Sequence, residues 1–161
     1  MDITENINRE GFYYDNAQNV IGGDTRRHYH ENCELYFLEK GACNYFVDNR
    51  YYTLCEGDLI FIPQNHIHQT DYNVKEIHSR KLINCSLDYV PQDVLPDIAT
   101  ESLVFRNKST VKEIAEIFEL IDKESAIHDT YSDKMIRLHI DRLFCLIARH
   151  KQEKCRFNIG K

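Results

Sequence analysis

The sequence predicts a mainly β domain, a small barrel of antiparallel strands, followed by two α-helices. Short extended runs broken by turn residues fill residues 19–87, and strands at such regular spacing are typical of antiparallel sandwiches and barrels. After Pro91 and Pro96 the apolar residues recur at helical spacing instead. The chain has 161 residues, which suits one domain with its own core.

The first segment is polar, with apolar residues scattered through it. We interpret residues 1–18 as an N-terminal arm that is loosely attached and holds one short strand, because chain termini are usually poorly fixed unless they dock on the domain. The alternative is a lid that closes Tyr13 and Tyr14 over a bound ligand by stacking. The barrel is then expected to occupy residues 19–100.

A β-hairpin is the clearest element of the predicted barrel. The extended runs 43–47 and 51–55 flank an Asp-Asn-Arg segment, and Asp and Asn suit tight hairpin turns. The continuous apolar run 59–62 indicates a strand that is buried on both faces. Residues 66–72 and 77–87 predict two further strands.

Two amphipathic helices are predicted within residues 101–150. Thr110 and Glu113 have the spacing of a capping box, and Ser132 can cap a second helix that ends near His150. The second helix packs on the barrel and on the first helix, or it forms a homodimer interface, and the two roles are compatible. The apolar face that we assign to dimerisation consists of Ile136, Ile140, Leu143, Phe144 and Ile147.

Composition and charge argue against several classes of protein. The net charge is −6, so we do not expect the chain to bind DNA by itself. No apolar run is long enough to span a bilayer and the N-terminus lacks a signal-peptide pattern, so we expect a cytoplasmic protein without a membrane partner. The six cysteines include no CxxC pair and are expected to be reduced. Residues 151–161 are polar and basic, which is typical of a linker.

Four side chains indicate a metal site. His28, His30 and Glu34 have the same parity, so an unbroken strand would project all three from one face. His68 follows the apolar strand and a proline turn, and it completes the set. Three imidazoles and a carboxylate suit one divalent transition metal ion, and the ligand set does not choose among Zn, Ni, Mn and Fe. The alternative is that these groups line a pocket and hydrogen-bond an effector or each other.

The ligand-contacting residues are inferred from the same parity. Tyr36 and Leu38 lie in register with Glu34, so we expect them to line one cavity at the barrel mouth, a usual place for small ligands. Arg26 precedes the histidines and can pair with an anionic or polyol ligand. The alternative for Arg26 is a solvated position at the start of a strand.

Two stretches of the chain resemble the paired signature of the cupin superfamily. The departures are Asn65, where the family usually has Gly, and Tyr72, where it usually has Asn. Asn tolerates positive φ better than most residues, so Asn65 is compatible with the turn. The residues that match the two motifs are Gly22, His28, His30, Glu34 and Gly41 in the first, and Gly57, Pro63 and His68 in the second.

A cupin barrel followed by two helices and a basic tail is similar to the N-terminal domain of AraC-type transcription regulators, over roughly residues 26–150. The resemblance implies a jelly-roll barrel that binds a small effector, often a sugar or a related metabolite, and helices that form a homodimer. It also implies that DNA is bound by a C-terminal pair of helix-turn-helix units, which this chain lacks. We therefore expect the chain to be a regulatory fragment and not an enzyme.

Two other functions stay open at this point. Metal cupins include sugar isomerases, epimerases and dioxygenases, and a metal ion with open coordination positions can activate water or dioxygen. Against an enzyme, the sequence offers no second acid or base beside Glu34. The remaining alternative is a plain sugar-binding cupin without a downstream domain.

Overall fold

The computed structural model describes residues 5–98, 101–106 and 108–159. These residues form nine strands, a short 3₁₀ turn at Leu87–Tyr89 and three helices. The helices are α1 (Leu95–Ile98), α2 (Lys108–Ile127) and α3 (Ser132–Ile159). The strands are β1 (Glu5–Arg9), β2 (Phe12–Ile21), β3 (Cys33–Lys40), β4 (Ala42–Val47), β5 (Arg50–Cys55), β6 (Leu59–Ile62), β7 (His68–Tyr72), β8 (Ile77–Cys85) and β9 (Leu103–Phe105).

The strands make two antiparallel sheets that close into a small barrel. The larger sheet has the order β1-β2-β8-β3-β6-β9, and the smaller has the order β5-β4-β7. Side chains from the facing sides of both sheets fill the space between them, among them Leu38, Tyr45, Leu54 and Ile60. The predicted mainly β jelly-roll with two long C-terminal helices is therefore confirmed. The hairpin also has the expected form, with Asp48 at a φ of 52° in its turn.

The N-terminal segment belongs to the larger sheet, which differs from the arm predicted over residues 1–18. Strand β1 pairs with β2, and β2 pairs with β8 from Phe12 to Ile21 with a bulge between Ala17 and Val20. Phe12 and Tyr14 are buried against the helices, and this burial together with the backbone ladder holds the segment in place. Residues 1–4 of the predicted arm lie outside the described part of the chain.

Helices α2 and α3 cover the outer face of the larger sheet. Phe37 stacks on Phe118 with ring centroids 5.4 Å apart, and Phe61 meets Phe144 edge to face at 6.1 Å. The five residues assigned to dimerisation, Ile136, Ile140, Leu143, Phe144 and Ile147, are all buried in this interface within one chain. They are not available to a second copy, so that assignment is corrected. These residues do share one apolar face of the helix, as predicted, but the sheet of the same chain covers that face.

The helix boundaries also differ from the predicted ones. Helix α2 begins at Lys108, before Thr110, so Thr110 is not its cap. Helix α3 begins at Ser132 as predicted, but the capping group is Asp129, whose Oδ1 accepts the Tyr131 amide at 2.8 Å while Ser132 Oγ accepts the Asp129 amide at 3.0 Å. Helix α3 then continues to Ile159, so most of the predicted linker is helical. No helix among the described residues is both long and apolar enough to cross a bilayer.

A polar junction interrupts the apolar interface between the larger sheet and α2. Asp122 of α2 accepts hydrogen bonds from Tyr14 and, at 3.0 Å, from Asn16. Lys81 Nζ lies 2.7 Å from Asp122 Oδ2 and 3.0 Å from Glu39 Oε1. We call Tyr14, Asn16, Lys81 and Asp122 the Asp122 junction. Because buried ionic groups require matched partners, this junction favours one position of α2 on the sheet.

Candidate metal and effector site

The four predicted ligand residues converge at one end of the barrel. Strand β3 begins only at Cys33, so His28 and His30 precede the strand and do not lie on one unbroken extended run with Glu34. A separate backbone bridge places them instead. The His28 amide donates to the His68 carbonyl at 3.0 Å, and the His68 amide donates to the His28 carbonyl at 2.9 Å.

The turn before His68 fixes the second half of the site. The Asn65 amide donates to the His30 carbonyl oxygen at 2.8 Å, and Asn65 adopts a φ of 61°, the left-handed region in which Gly is usual. The asparagine therefore preserves the turn, as expected for a residue that tolerates this conformation.

The potential ligand atoms of His28, His30, Glu34 and His68 all lie within 4.8 Å of one another. Glu34 Oε2 is 3.3 Å from His30 Nε2 and 3.4 Å from His68 Nε2. On the other carboxylate oxygen, Oε1, Glu34 accepts a hydrogen bond from Tyr45 Oη at 2.9 Å. Glu34 and His68 are buried, whereas His28 is exposed at the mouth.

The orientation of the imidazoles favours metal coordination. In each of the three rings Nδ1 lies beside a backbone carbonyl oxygen: Arg26 for His28 at 2.8 Å, Asn32 for His30 at 2.7 Å, and His66 for His68 at 2.8 Å. A neutral ring that donates from Nδ1 keeps a lone pair on Nε2. This outer hydrogen bond is the arrangement that orients metal-ligating histidines.

A positive charge is needed to hold these groups together. Nε2 of His68 is buried and lies 3.4 Å from Glu34 Oε2 without a well-aligned hydrogen bond to any described residue. Burial alone would raise the pKa of the Glu34 carboxyl, but its contacts with His30 and His68 outweigh burial and lower that pKa. Burial would likewise lower the pKa of His68, yet its contact with Glu34 raises it. An anionic Glu34 thus attracts either a proton on His68 or a metal ion.

The donor set fits one divalent ion with little movement. Bonds of about 2.0–2.2 Å put two ligand atoms on opposite sides of an ion at most about 4.4 Å apart. The four ligand atoms lie within 4.8 Å of one another, which is only slightly longer. Asn84 Nδ2 lies 3.0 Å from His30 Nε2, so coordination by His30 requires this amide to turn away.

A cavity of about 240 Å³ opens beside the four ligand residues. Most of the lining residues carry polar groups, and the hydroxyls of Tyr36 and Tyr72 are hydrogen-bonded to each other at 3.0 Å. Burial raises the pKa of Tyr36, Tyr45 and Tyr72, so all three hydroxyls stay protonated and can donate. The lining residues are Tyr13, Asp24, His28, His30, Glu34, Tyr36, Tyr45, Thr70, Tyr72, Arg80, Leu82 and Asn84.

The predicted ligand-contacting residues divide between the cavity and other places. Tyr13 and Tyr36 line the cavity. Tyr14 faces the opposite side of the sheet, in the Asp122 junction, and Leu38 is fully buried in the apolar filling of the barrel. Arg26 is exposed and forms a two-pronged pair with Asp24, from Nε to Oδ1 at 2.9 Å and from Nη2 to Oδ2 at 2.7 Å. Parity placed Tyr36 correctly, but Leu38 lies too far along the strand to reach the mouth.

The sequence reading missed the polar residues of β8. Arg80, Leu82 and Asn84 alternate on the face of β8 that lines the cavity. The sequence contains a pattern that could have revealed them. Arg80 and Asn84 have the same parity on this strand, whereas Lys81, Ile83 and Cys85 project from its other face. This alternation indicates a polar surface inside the barrel. Thr70, which also lines the cavity, has the parity of His68 on β7.

Comparison with solved structures found several that are similar to all or part of this chain. Apo ToxT from Vibrio cholerae, in a single-substitution variant, has a TM-score of 0.62 at 10% sequence identity, and the match covers 90% of this chain and 58% of that chain. An RmlC-like cupin family protein with a double-stranded β-helix fold from Methanocaldococcus jannaschii gives a TM-score of 0.45 at 15% identity, over 53% of this chain and 81% of that one. A variant of Bacillus subtilis oxalate decarboxylase gives 0.39 at 18%, over 47% of this chain and 21% of that one.

At these identities the similarity to ToxT is one of fold, and this chain spans somewhat more than half of the ToxT chain. No curated protein sequence matches the chain significantly. The family described as the AraC-like ligand binding domain matches residues 17–152, which includes the barrel and most of both long helices. The chain therefore belongs to the AraC-like ligand binding domain family.

Proposed function

We propose that this chain is the effector-sensing and dimerisation domain of an AraC-type transcription regulator, and that the effector is a small polar metabolite bound inside the barrel. The observation that supports this proposal best is the cavity beside His30 and Glu34, which is lined by hydroxyl, amide, imidazole and guanidinium groups. A cavity of about 240 Å³ is smaller than a typical drug-sized site, so it suits a compact molecule. The DNA-binding units belong to a longer protein of which this chain is the regulatory part.

A binding screen tests this proposal directly. Sugars, polyols and small organic acids are each added to the protein, and the unfolding temperature is measured. We expect at least one class to raise it, because a ligand that binds only the folded state stabilises that state. The variant Tyr72→Phe removes a cavity hydroxyl and should weaken the effect. The matched control is Tyr52→Phe, because the Tyr52 hydroxyl bonds Ser102 outside the cavity. Equal loss in both variants would contradict binding in this cavity.

The dimer interface is proposed for the outer face of α3, in place of the buried face. Met135 and Leu138 are exposed on this face, and the exposed Tyr131, which directly precedes α3, continues the same spacing. Leu138→Asp should shift the protein from dimer to monomer in sedimentation equilibrium. The matched control is Val74→Asp, because Val74 is an equally apolar exposed residue that lies in the turn between β7 and β8. A monomeric wild-type protein would contradict the proposed dimer.

A bound divalent ion is proposed as part of the same site. The supporting observation is the set of three Nε2 lone pairs and one carboxylate oxygen, each oriented by an outer hydrogen bond. The ion would add a positive charge and open coordination positions to the cavity wall.

The same ligand set supports a second candidate function, a metal-dependent cupin enzyme. The discriminating measurement is the fate of a molecule that binds. A regulator returns its effector unchanged after long incubation with the metal-loaded protein, whereas an enzyme converts it, and mass spectrometry of the small molecule separates the two outcomes.

A further inference from the structure

Arg80 is the one cationic side chain among the described residues that line the cavity. Its Nη1 group donates to Asp15 Oδ2 at 2.7 Å, and the side chain is about four-fifths buried. A guanidinium has five N–H donors in a rigid fork, and one carboxylate oxygen occupies only part of that fork. The rest of the group borders the cavity.

Arg80 and the metal-ligand cluster lie at different depths of one cavity. Asn84, which contacts His30, and Arg80 project from the same face of β8. They are four residues apart, or roughly 13 Å along the strand between their Cα atoms. The Tyr36 and Tyr72 hydroxyls line the space between the two ends. A ligand inside the barrel is therefore offered an imidazole and carboxylate cluster at one end and a guanidinium at the other.

The sign of the charge in this cavity depends on the ion. Glu34 and Asp15 contribute two carboxylates, which outnumber the single cation of Arg80, and Asp24 is neutralised by Arg26 at the mouth. With neutral histidines and no ion, the formal charge of these groups is −1, which disfavours an anion. A divalent ion on His28, His30, Glu34 and His68 makes it net positive. Anion binding and metal binding are thus expected to be coupled, each raising the affinity for the other.

We propose that the effector is a small hydroxy- or oxo-carboxylic acid. Its carboxylate pairs with the fork of Arg80, and its hydroxyl or carbonyl oxygen coordinates the ion at the histidine cluster, as oxygen donors do at open positions of such ions. The tyrosine hydroxyls donate to the remaining oxygens. This proposal rests on the proposed effector-binding function and narrows it from polar metabolites to acids.

The test compares acids with neutral molecules of similar size, with and without metal. Glycolate, lactate, malate, 2-oxoglutarate and citrate are matched with glycerol, erythritol and arabinose, and binding to the intact chain is measured by calorimetry with Mn²⁺ or Zn²⁺ and again after chelation. We expect at least one acid to bind with the metal, with an affinity at least about 10-fold lower after chelation, and no comparable binding of the neutral set.

One double variant and one control variant test whether Arg80 binds the carboxylate of the acid. Arg80→Gln combined with Asp15→Asn removes both members of the pair, so that no buried carboxylate is left without its partner. It should lower acid affinity by about 10- to 100-fold, the effect of a lost charged hydrogen bond, while metal affinity stays within about 2-fold. Arg26→Gln is the matched control, since Arg26 pairs with Asp24 at the surface, and it should leave acid affinity unchanged. Unchanged acid affinity in the Arg80 double variant overturns the proposal.

The outcomes separate this proposal from the effector function on which it rests. If a neutral molecule binds and no acid does, the acid proposal fails and effector binding in the cavity stands. If an acid binds equally well after chelation, the coupling to the metal fails and with it the proposal. If neither set binds under any condition, both the acid proposal and the small-metabolite function are overturned.

Discussion

Removing His68 should abolish most of the stability that a divalent ion confers. His68 is the most deeply placed of the three histidines, and its Nε2 lies 3.4 Å from Glu34 Oε2. In the metal-free protein the substitution His68→Gln loses this contact and the hydrogen bond between Nδ1 and the His66 carbonyl oxygen. In the metal-bound protein it also removes one of four ligands. The difference between the two conditions therefore isolates the part of the effect that depends on the ion.

The expected size follows from mass action. An ion present at 100 times its dissociation constant stabilises the folded state by about 2.7 kcal/mol, which for a domain of this size raises the unfolding temperature by about 5–11 °C. Loss of an outer partner of a ligand weakens metal affinity about 10- to 100-fold, and loss of a ligand should reach at least the upper figure. At the same ion concentration about 0.4 kcal/mol then remains, or about 1–2 °C.

The assay is thermal unfolding with and without chelator, in which each variant serves as its own reference. His66→Gln is the matched control, because His66 is two residues away but bonds Asp48 Oδ2 at 2.6 Å outside the cluster. The control should keep the full metal-dependent rise. Wild-type protein that gains no stability from Zn²⁺, Mn²⁺, Ni²⁺ or Fe²⁺ would refute the reasoning, as would a full rise in His68→Gln.

The other predictions concern pH, the core and the helix interface. Relative to His68→Gln, the metal-free wild-type protein should gain stability as pH falls through the raised pKa of His68, because the folded state holds that proton more tightly than the unfolded state. The metal-dependent rise should shrink over the same pH range, because protons and metal compete for the imidazoles; titrating both forms by thermal unfolding checks the opposite signs. Ile140→Ala should cost about 2–5 kcal/mol in urea unfolding, because it leaves a cavity in the core. Arg149→Ala, at an exposed position of the same helix outside the proposed dimer interface, should stay within about 0.5 kcal/mol, and equal costs would contradict the packing of α3. Asp122→Ala should cost about 2–4 kcal/mol, because its buried lysine keeps only Glu39 as an ionic partner, while the exposed Glu119→Ala control should cost little.

The sequence predicted the barrel and the helices well because their signals are local. The hairpin depends on turn residues between two alternating runs, and both long helices depend on apolar periodicity. The surface that each element covers is not a local property. The stripe containing Ile140 and Phe144 fits a partner subunit or a sheet equally well in sequence, and only the folded chain shows that the sheet covers it.

Local sequence patterns were also insufficient to place every residue of the candidate site. The prediction placed His28, His30 and Glu34 on one face of an unbroken strand. In the structure the strand begins after the two histidines, and a long-range backbone bridge between His28 and His68 positions the histidines instead. The residue types and their spacing thus indicated the site although the assumed strand is broken. Arg80 was missed because a strand arginine reads as solvated until its neighbours close a barrel over it. Whether the cluster binds a metal stays a prediction.

The Asp122 junction and the effector cavity are separated by the thickness of one sheet. On β2, Asp15 faces the cavity while Tyr14 and Asn16 on either side of it face α2. On β8, Arg80 faces the cavity while the next residue, Lys81, binds Asp122. Adjacent residues share a rigid peptide plane, so any shift of the backbone at Arg80 also moves the attachment point of Lys81. The wall of the cavity is therefore also the support of the helical pair.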